Sequence, residues 1–119
     1  MKLDHVTLRT GDLEGTRLFL EQLLDVKAGY RPAFSFPGYW LYAEGEPVIH
    51  LIPGEGGAVR RWGDMIDHVA FRLEGYDIYR DRLDRLPVPY STMDLPEIGE
   101  RRLFVRTPAG ILLELVFRN

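Results

Sequence analysis

The chain has 119 residues with 45% hydrophobic content, which is enough for one compact domain and too little for two independent ones. Its formal net charge is -3, and the even scatter of acids and bases excludes the basic stripe that nucleic-acid-binding proteins carry. Because it has no cysteine, thiolate chemistry is excluded, and any metal must be held by imidazole and carboxylate.

The N-terminus carries no targeting signal that the sequence reveals. Residues 1–5 lack the basic and apolar regions of a signal peptide, and no apolar run in the chain is long enough to cross a membrane. We therefore expect a cytoplasmic protein with no membrane partner.

The first half of the chain predicts a strand, a helix and three further strands. Residues 3–9 form the first strand, and Asp12 is suited to accept hydrogen bonds from the first turn of a helix that continues to Leu24. Turn residues containing proline and glycine separate the following strands. These strands are predicted at residues 34–36, 39–42 and 48–52.

A glycine-rich stretch, residues 53–63, predicts a linker, and the second half then repeats the first. Residues 66–72 match residues 3–9 at an offset of 63 (68 minus 5), with the Asp, His, Val and Arg identical. A helix is predicted over residues 77–86, where Pro87 ends the pattern because proline lacks the amide donor. Three strands follow at residues 90–93, 103–106 and 111–117.

The repeat predicts the architecture. The chain, residues 1–119, is expected to be a single α+β domain made of two tandem βαβββ modules, the repeat halves 1–53 and 64–119. Related halves packed about a pseudo-twofold axis bring equivalent strand positions together at the centre. We therefore expect equivalent residues of the two halves to face one another.

The polar residues at these equivalent positions predict a metal site. His5 and His68 are equivalent in the repeat, and aligning the last strand of each half places His50 over Glu114. Side chains alternate along a strand, so His5 shares a face with Thr7 while Val6 takes the other face. A carboxylate within an apolar strand is costly unless it is paired or bound to a cation. We predict that His5, His68, Glu114 and His50 hold a divalent metal ion.

These residues resemble the vicinal oxygen chelate superfamily, which includes glyoxalase I, the bleomycin resistance proteins and the extradiol dioxygenases. The resemblance spans nearly the whole chain and rests on residues 3–6, 66–70 and 103–115. It implies two modules that form an open U-shaped mixed-sheet barrel around the metal, and it implies a homodimer. It also implies His5, His68 and Glu114 as shared ligands, with His50 at the place of a further ligand.

The resemblance implies a metal-dependent enzyme whose ion binds two adjacent oxygens of a small substrate. Iron, manganese, nickel, cobalt or zinc would suit these ligands. Because His50 stands where glyoxalase I carries glutamate, dioxygenase-like chemistry is favoured. Two alternatives stay open: a glyoxalase-like lyase or isomerase, with Glu114 or His50 as the catalytic proton carrier, and a metal-free binding protein of the bleomycin-resistance type.

Three further residues are candidates for substrate binding. Trp40 could line an aromatic pocket, although burial in the sheet is the simpler explanation. Arg101 and Arg102 lie near the last hairpin, where a guanidinium could bind a substrate carboxylate through two hydrogen bonds.

Overall fold

A computed structural model describes residues 1–54, 65–86, 88–108 and 110–119 of the chain. The order strand, helix and three strands occurs twice, which confirms the predicted α+β class and the paired βαβββ modules. The first module comprises β1 (Lys2–Thr10), α1 (Leu13–Leu24), β2 (Lys27–Gly29), β3 (Tyr39–Ala43) and β4 (Glu46–Pro53). The second comprises β5 (Met65–Arg72), α2 (Tyr76–Arg85), β6 (Tyr90–Leu95), β7 (Glu100–Arg106) and β8 (Leu112–Arg118).

Both helices begin and end close to the predicted residues. The Asp12 carboxylate accepts a hydrogen bond from the Gly15 amide at 2.9 Å, as an N-cap does, and confirms the predicted start of α1. Helix α2 follows Gly75, whose φ of 94° suits glycine. It ends one residue before Leu86, close to Pro87 as predicted.

One predicted strand is wrong. Residues 34–36 lie in an irregular segment between Pro32 and Pro37, and the first of the three later strands is instead β2. Proline cannot donate to a strand ladder, which explains why the alternating Phe34 and Phe36 do not pair. Strand β2 escaped prediction because its three residues are all exposed and carry no apolar alternation.

The strands of the first module are hydrogen-bonded in the order β2-β3-β4-β1 and those of the second in the order β5-β8-β7-β6, and the pairing is mixed as expected. Strand β1 is parallel to β4, and β5 is parallel to β8, whereas the β2–β3, β3–β4, β6–β7 and β7–β8 pairs are antiparallel. Each parallel pair joins the first strand of a module to its last strand. The module repeat is therefore visible in the pairing as well as in the sequence.

The chain divides into two compact units. One is His5–Asp67, and the other joins Met1–Asp4 to His68–Asn119. In the first unit Leu41, Leu51 and Val26 form a core to which Leu13 and Leu20 of α1 contribute. In the second, Leu83 of α2 lies in a core cluster with other buried side chains. These are Leu73, Leu103 and Phe117.

An ion pair in each unit uses the acid of one sequence repeat and the arginine of the other. In the first unit, Arg9 Nε lies 2.5 Å from Asp67 Oδ1. In the second, Arg72 Nη2 lies 2.9 Å from Asp4 Oδ1. The repeated Asp-His segment therefore supplies structural ion pairs beside its histidines.

The predicted linker at residues 53–63 falls outside the described residues, except for its first two positions, of which Pro53 ends β4. Among the described residues, no helix is long and apolar enough to span a membrane.

Candidate functional site

His68 and Glu114 are brought together by the parallel pairing of β5 with β8. Ala70 lies opposite Glu114 in this ladder, and His68 shares the face of Ala70 because it is two residues away. His68 Nε2 lies 3.3 Å from Glu114 Oε1, and the two side chains are only 11% and 3% exposed. The structure thus places an imidazole nitrogen beside a carboxylate oxygen in a nearly dry environment.

Glu114 also has a partner that the sequence did not reveal. Arg102 Nη1 donates to Glu114 Oε2 at 3.2 Å, and Arg102 Nη2 donates to Glu100 Oε1 at 2.5 Å. All three residues are buried. Because the guanidinium occupies Oε2, it fixes the rotation of the carboxylate and leaves Oε1 directed towards His68.

This network explains how a carboxylate can be retained inside an apolar strand. Glu114 neighbours Leu113 and Leu115 in sequence, yet its face of the sheet carries Arg102 on β7. The positive guanidinium and its second acid, Glu100, compensate the cost of removing these charges from water. Glu100, Arg102 and Phe104 alternate along one strand and therefore share a face. Only the pairing of Phe104 with Glu114 shows that this face is the one that carries Glu114.

In the unit His5–Asp67, His5, His50 and Trp40 form a stack of rings. The His5 and His50 ring centroids are 3.6 Å apart with an interplanar angle of 15°. The Trp40 and His50 centroids are 4.1 Å apart with an interplanar angle of 10°. All three residues are buried. His50 therefore lies between the other two rings.

The strand registers confirm the alignment of His50 with Glu114. Thr7 lies opposite His50 in the β1–β4 ladder, and Ala70 lies opposite Glu114 in the β5–β8 ladder. Thr7 and Ala70 are equivalent in the repeat, so their partners are equivalent too. Each unit consequently combines a histidine of the repeated segment with a residue of the last strand of its module. These pairs are His5 with His50 and His68 with Glu114.

The three predicted substrate-binding residues have different surroundings. Trp40 is 4% exposed and contacts His50, while Arg102 is 4% exposed and holds the two acids described above. Arg101 alternates with Arg102 and takes the opposite face of β7, where its guanidinium carbon lies 3.6 Å from the Tyr76 ring centre. The structure does not bring Arg101 to the face that carries Glu114.

A cavity in the second unit adds residues that the sequence did not suggest. It has a volume of about 580 Å³ and is lined in part by Ser91, Phe104 and Arg106. The Phe104 ring meets the His68 ring edge to face, with centroids 6.1 Å apart. Phe104 therefore lies against both the cavity and the His68 ring.

Comparison with known proteins gives matches at the level of structure only. No protein-family model and no curated protein sequence matches the chain. The crystal structure of methylmalonyl-CoA epimerase from Mycobacterium tuberculosis matches with a TM-score of 0.77 and 21% identity, covering 99% of this chain and 88% of the epimerase.

Two dioxygenases match part of their longer chains. BphC, a halotolerant catechol dioxygenase, matches with a TM-score of 0.72 and 15% identity, covering 98% of this chain and 39% of the dioxygenase. The 2,2',3-trihydroxybiphenyl 1,2-dioxygenase from Sphingomonas wittichii matches with a TM-score of 0.69 and 12% identity, covering 99% of this chain and 40% of that enzyme. Epimerases and dioxygenases of these kinds are vicinal oxygen chelate proteins, so the chain has the fold of the vicinal oxygen chelate superfamily.

Proposed function

We propose that the chain is a metal-dependent enzyme and that His5, His68 and Glu114 hold its divalent ion. The observation that carries this proposal is the contact of His68 Nε2 with Glu114 Oε1 at 3.3 Å inside the protein. With metal–ligand bonds of about 2.0 to 2.2 Å, two donor atoms on one ion lie about 3.0 to 3.5 Å apart. The His68 and Glu114 donors therefore already have the separation that a shared ion requires.

The chemistry of the donors also fits a first-row divalent metal. Imidazole and carboxylate are the ligands that such metals accept in a protein without cysteine. Arg102 supports this role because it binds the other oxygen of Glu114 and leaves Oε1 for the ion. An outer residue that orients a ligand in this way is a common feature of metal sites.

In this proposal His50 supports His5 and does not bind the ion. Two imidazoles bound to adjacent positions of one ion have ring centres about 4.5 Å or more apart, because both rings radiate from the metal. The His5 and His50 rings are closer, at 3.6 Å, and nearly parallel. His50 stacks on Trp40 on one side and on His5 on the other, and it thereby fixes the orientation of the His5 ring.

A ligand set of two neutral imidazoles and one carboxylate favours dioxygenase-like chemistry on a small substrate with adjacent oxygens. A divalent ion with these ligands keeps a net positive charge and stabilises negative charge on two chelating oxygens. Arg102 neutralises part of the Glu114 charge and so reinforces this preference. Phe104 and the adjoining cavity offer an apolar wall beside His68 for an aromatic ring.

A second candidate is an isomerase or epimerase that moves a proton next to a carbonyl. The observation that favours it is structural similarity, because the M. tuberculosis epimerase matches with a TM-score of 0.77 and the catechol dioxygenase BphC with 0.72. In that case His50, held between His5 and Trp40, is the candidate proton carrier, since Glu114 is committed to Arg102.

Metal content tests the shared part of the proposal. Untagged protein is expected to contain about one equivalent of metal by elemental analysis, and His68→Ala should lose it together with the thermal stabilisation that metal gives. His50→Gln should keep the metal, because His50 is placed outside the ligand set. A His68→Ala protein with full metal content would contradict the assignment of His68 as a ligand, and natural protein without stoichiometric metal would favour a metal-free binding protein.

Turnover then separates the two reaction classes. Aerobic ring cleavage of catechols by the Fe(II) protein is expected, with oxygen consumption as the readout. Deuterium incorporation from heavy water into methylmalonyl-CoA, or isomerisation of a methylglyoxal hemithioacetal with Ni(II) or Zn(II), would instead establish the proton-transfer class.

A further inference from the structure

Arg31 is a partly buried arginine that has no acid beside it in the part of the chain that is described. Its Nε and Nη2 atoms are shielded from solvent and have no hydrogen-bond acceptor among the residues that the structure describes. Arg9, Arg72 and Arg102 each hold a carboxylate at 3.2 Å or less. A buried donor without an acceptor is costly, and the cost is larger for a charged group. Arg31 therefore needs an acceptor that the described chain does not supply.

The surroundings of Arg31 are aromatic. Its guanidinium carbon lies 4.8 Å from the Phe34 ring centre and 5.0 Å from the Phe36 ring centre. Contact with a ring face stabilises the positive charge but does not satisfy the N–H groups, which point outwards in the guanidinium plane. Burial without a nearby acid lowers the pKa of Arg31, yet arginine stays charged at neutral pH.

Arg31 also lies at one end of a row of rings that leads to the proposed ligand His5. Phe34 contacts Trp40 with centroids 6.2 Å apart, Trp40 stacks on His50, and His50 stacks on His5. Arg31, Phe34 and Trp40 are thus joined to His5 by direct ring contacts within one unit. Arg31 is therefore linked through packed rings to His5, a ligand of the proposed metal site.

We propose that Arg31 binds an anionic group of the substrate, a carboxylate or a phosphate that is remote from the metal-chelating oxygens. This proposal rests on the proposed function for the identity of the site, but anion binding itself does not require the metal. The anion accepts the Nε and Nη2 hydrogens in a two-pronged contact that suits both groups. Phe36, which is 43% exposed, is the part of the aromatic cover that must give way as the anion enters.

Nuclear magnetic resonance of the metal-free protein tests the site directly. The Arg31 Nε–H signal is expected to shift saturably on titration with benzoate or with inorganic phosphate. The anion that saturates the shift at the lower concentration is the preferred one. Arg31→Met should abolish saturable binding. The matched control, Arg82→Met, should not, because Arg82 is exposed although its guanidinium carbon also lies 4.8 Å from a ring centre, that of Tyr79. Absence of a shift at Arg31 with both anions would overturn the proposal.

Stability provides the second measurement. A binding residue that lacks an acceptor should not stabilise the ligand-free chain, so Arg31→Met is expected to keep or raise the urea midpoint of the metal-free protein. A fall in midpoint as large as that of Arg102→Met would show a structural role for Arg31 and would overturn the binding role. Metal content of Arg31→Met should equal that of the natural protein, so failure of this inference and failure of the metal proposal give different results.

Discussion

Arg102 shows how a single side chain determines what its neighbour can do. It lies on the same face as Glu114, is 4% exposed and binds both Glu114 and Glu100. The sequence predicts a positive partner for Glu114 in the form of a metal ion, and it predicts a substrate contact for Arg102. The guanidinium partner itself depends on the β7–β8 register, which the sequence does not display.

Replacement of Arg102 is expected to be strongly destabilising. Arg102→Met removes the buried guanidinium from both Glu114 and Glu100, although Arg118 still lies 3.4 Å from Glu100, and breaking a buried pair costs about 3 to 5 kcal/mol. Urea unfolding of the metal-free protein measures the loss. The matched control is Arg101→Met on the opposite face, where the side chain is 41% exposed and the loss should stay below about 1 kcal/mol. Equal losses in the two variants would contradict the role assigned to Arg102.

Gly38 is needed for a close backbone approach. A Cβ at this position would lie 2.4 Å from the Leu51 carbonyl oxygen and 3.0 Å from Arg31 Nη2. Gly38→Ala is expected to lower the free energy of unfolding by about 1 to 3 kcal/mol, the usual range for overpacking. Gly54→Ala is the control, since the nearest atom to its added Cβ among the described residues would be the Thr10 carbonyl oxygen, 3.7 Å away. Urea midpoints of the two variants should therefore differ, and coinciding midpoints would refute this explanation.

At the scale of elements, α1 is held to the sheet by polar contacts as well as by apolar ones. No α1 residue is fully buried, although Leu13 and Leu20 pack against the first core. The Tyr39 hydroxyl on β3 donates to Glu14 on α1, and Arg17 Nη2 lies 2.9 Å from the same carboxylate. These contacts fix the side of α1 that meets β3.

The Tyr39–Glu14 contact predicts a pH effect. The Tyr39 hydroxyl, followed by Arg17, lowers the pKa of Glu14, and the same hydrogen bond raises the pKa of Tyr39. A lowered carboxyl pKa stabilises the fold above the unfolded value of about 4.3, and this contribution is lost as pH falls through the folded value. The raised pKa of Tyr39 stabilises the fold below the unfolded pKa of about 10. This contribution is lost as pH rises through the folded pKa.

Tyr39→Phe should therefore move the Glu14 titration midpoint upwards, towards its ordinary value. Carbon-13 resonance of the Glu14 carboxyl measures this midpoint, and the stability difference between the two proteins should shrink in acid. Tyr30→Phe is the control because Tyr30 is exposed and makes its described hydrogen bond through its carbonyl oxygen. An unchanged Glu14 midpoint in Tyr39→Phe would rule out the assigned cause.

For the whole molecule, most of the correct predictions follow from the duplicated segment. The offset between His5 and His68 predicts two equivalent modules, and the structure contains both. The alignment of His50 with Glu114 also agrees with the strand registers. Strand β2 and the Arg102 network could not be predicted. The first has no apolar pattern, and the second arises from side chains that meet only when separate strands are paired. Metal binding and a homodimer stay predictions.

The ion pairs formed by the two repeats should be energetically coupled. A double-mutant cycle of Asp4→Asn and Arg72→Gln is expected to show a coupling free energy of about 1 to 3 kcal/mol, since both partners are largely buried. The exposed cross-strand pair Arg101 and Asp94, whose side chains are 41% and 61% exposed, should show only about 0.2 to 1 kcal/mol. Urea unfolding of each variant set gives both values, and a smaller coupling for the Asp4 pair would contradict its structural importance.

The crossed pairing of Arg9 with Asp67 and of Arg72 with Asp4 has a genetic consequence. A codon change that removes the acid in one copy of the duplicated segment takes a carboxylate from the arginine of the other copy, so the penalty falls on a site some sixty positions away (67 minus 9 is 58, and 72 minus 4 is 68). Drift at these four positions is therefore expected to be correlated, with a charge lost from one copy tolerated only after its opposite number has changed.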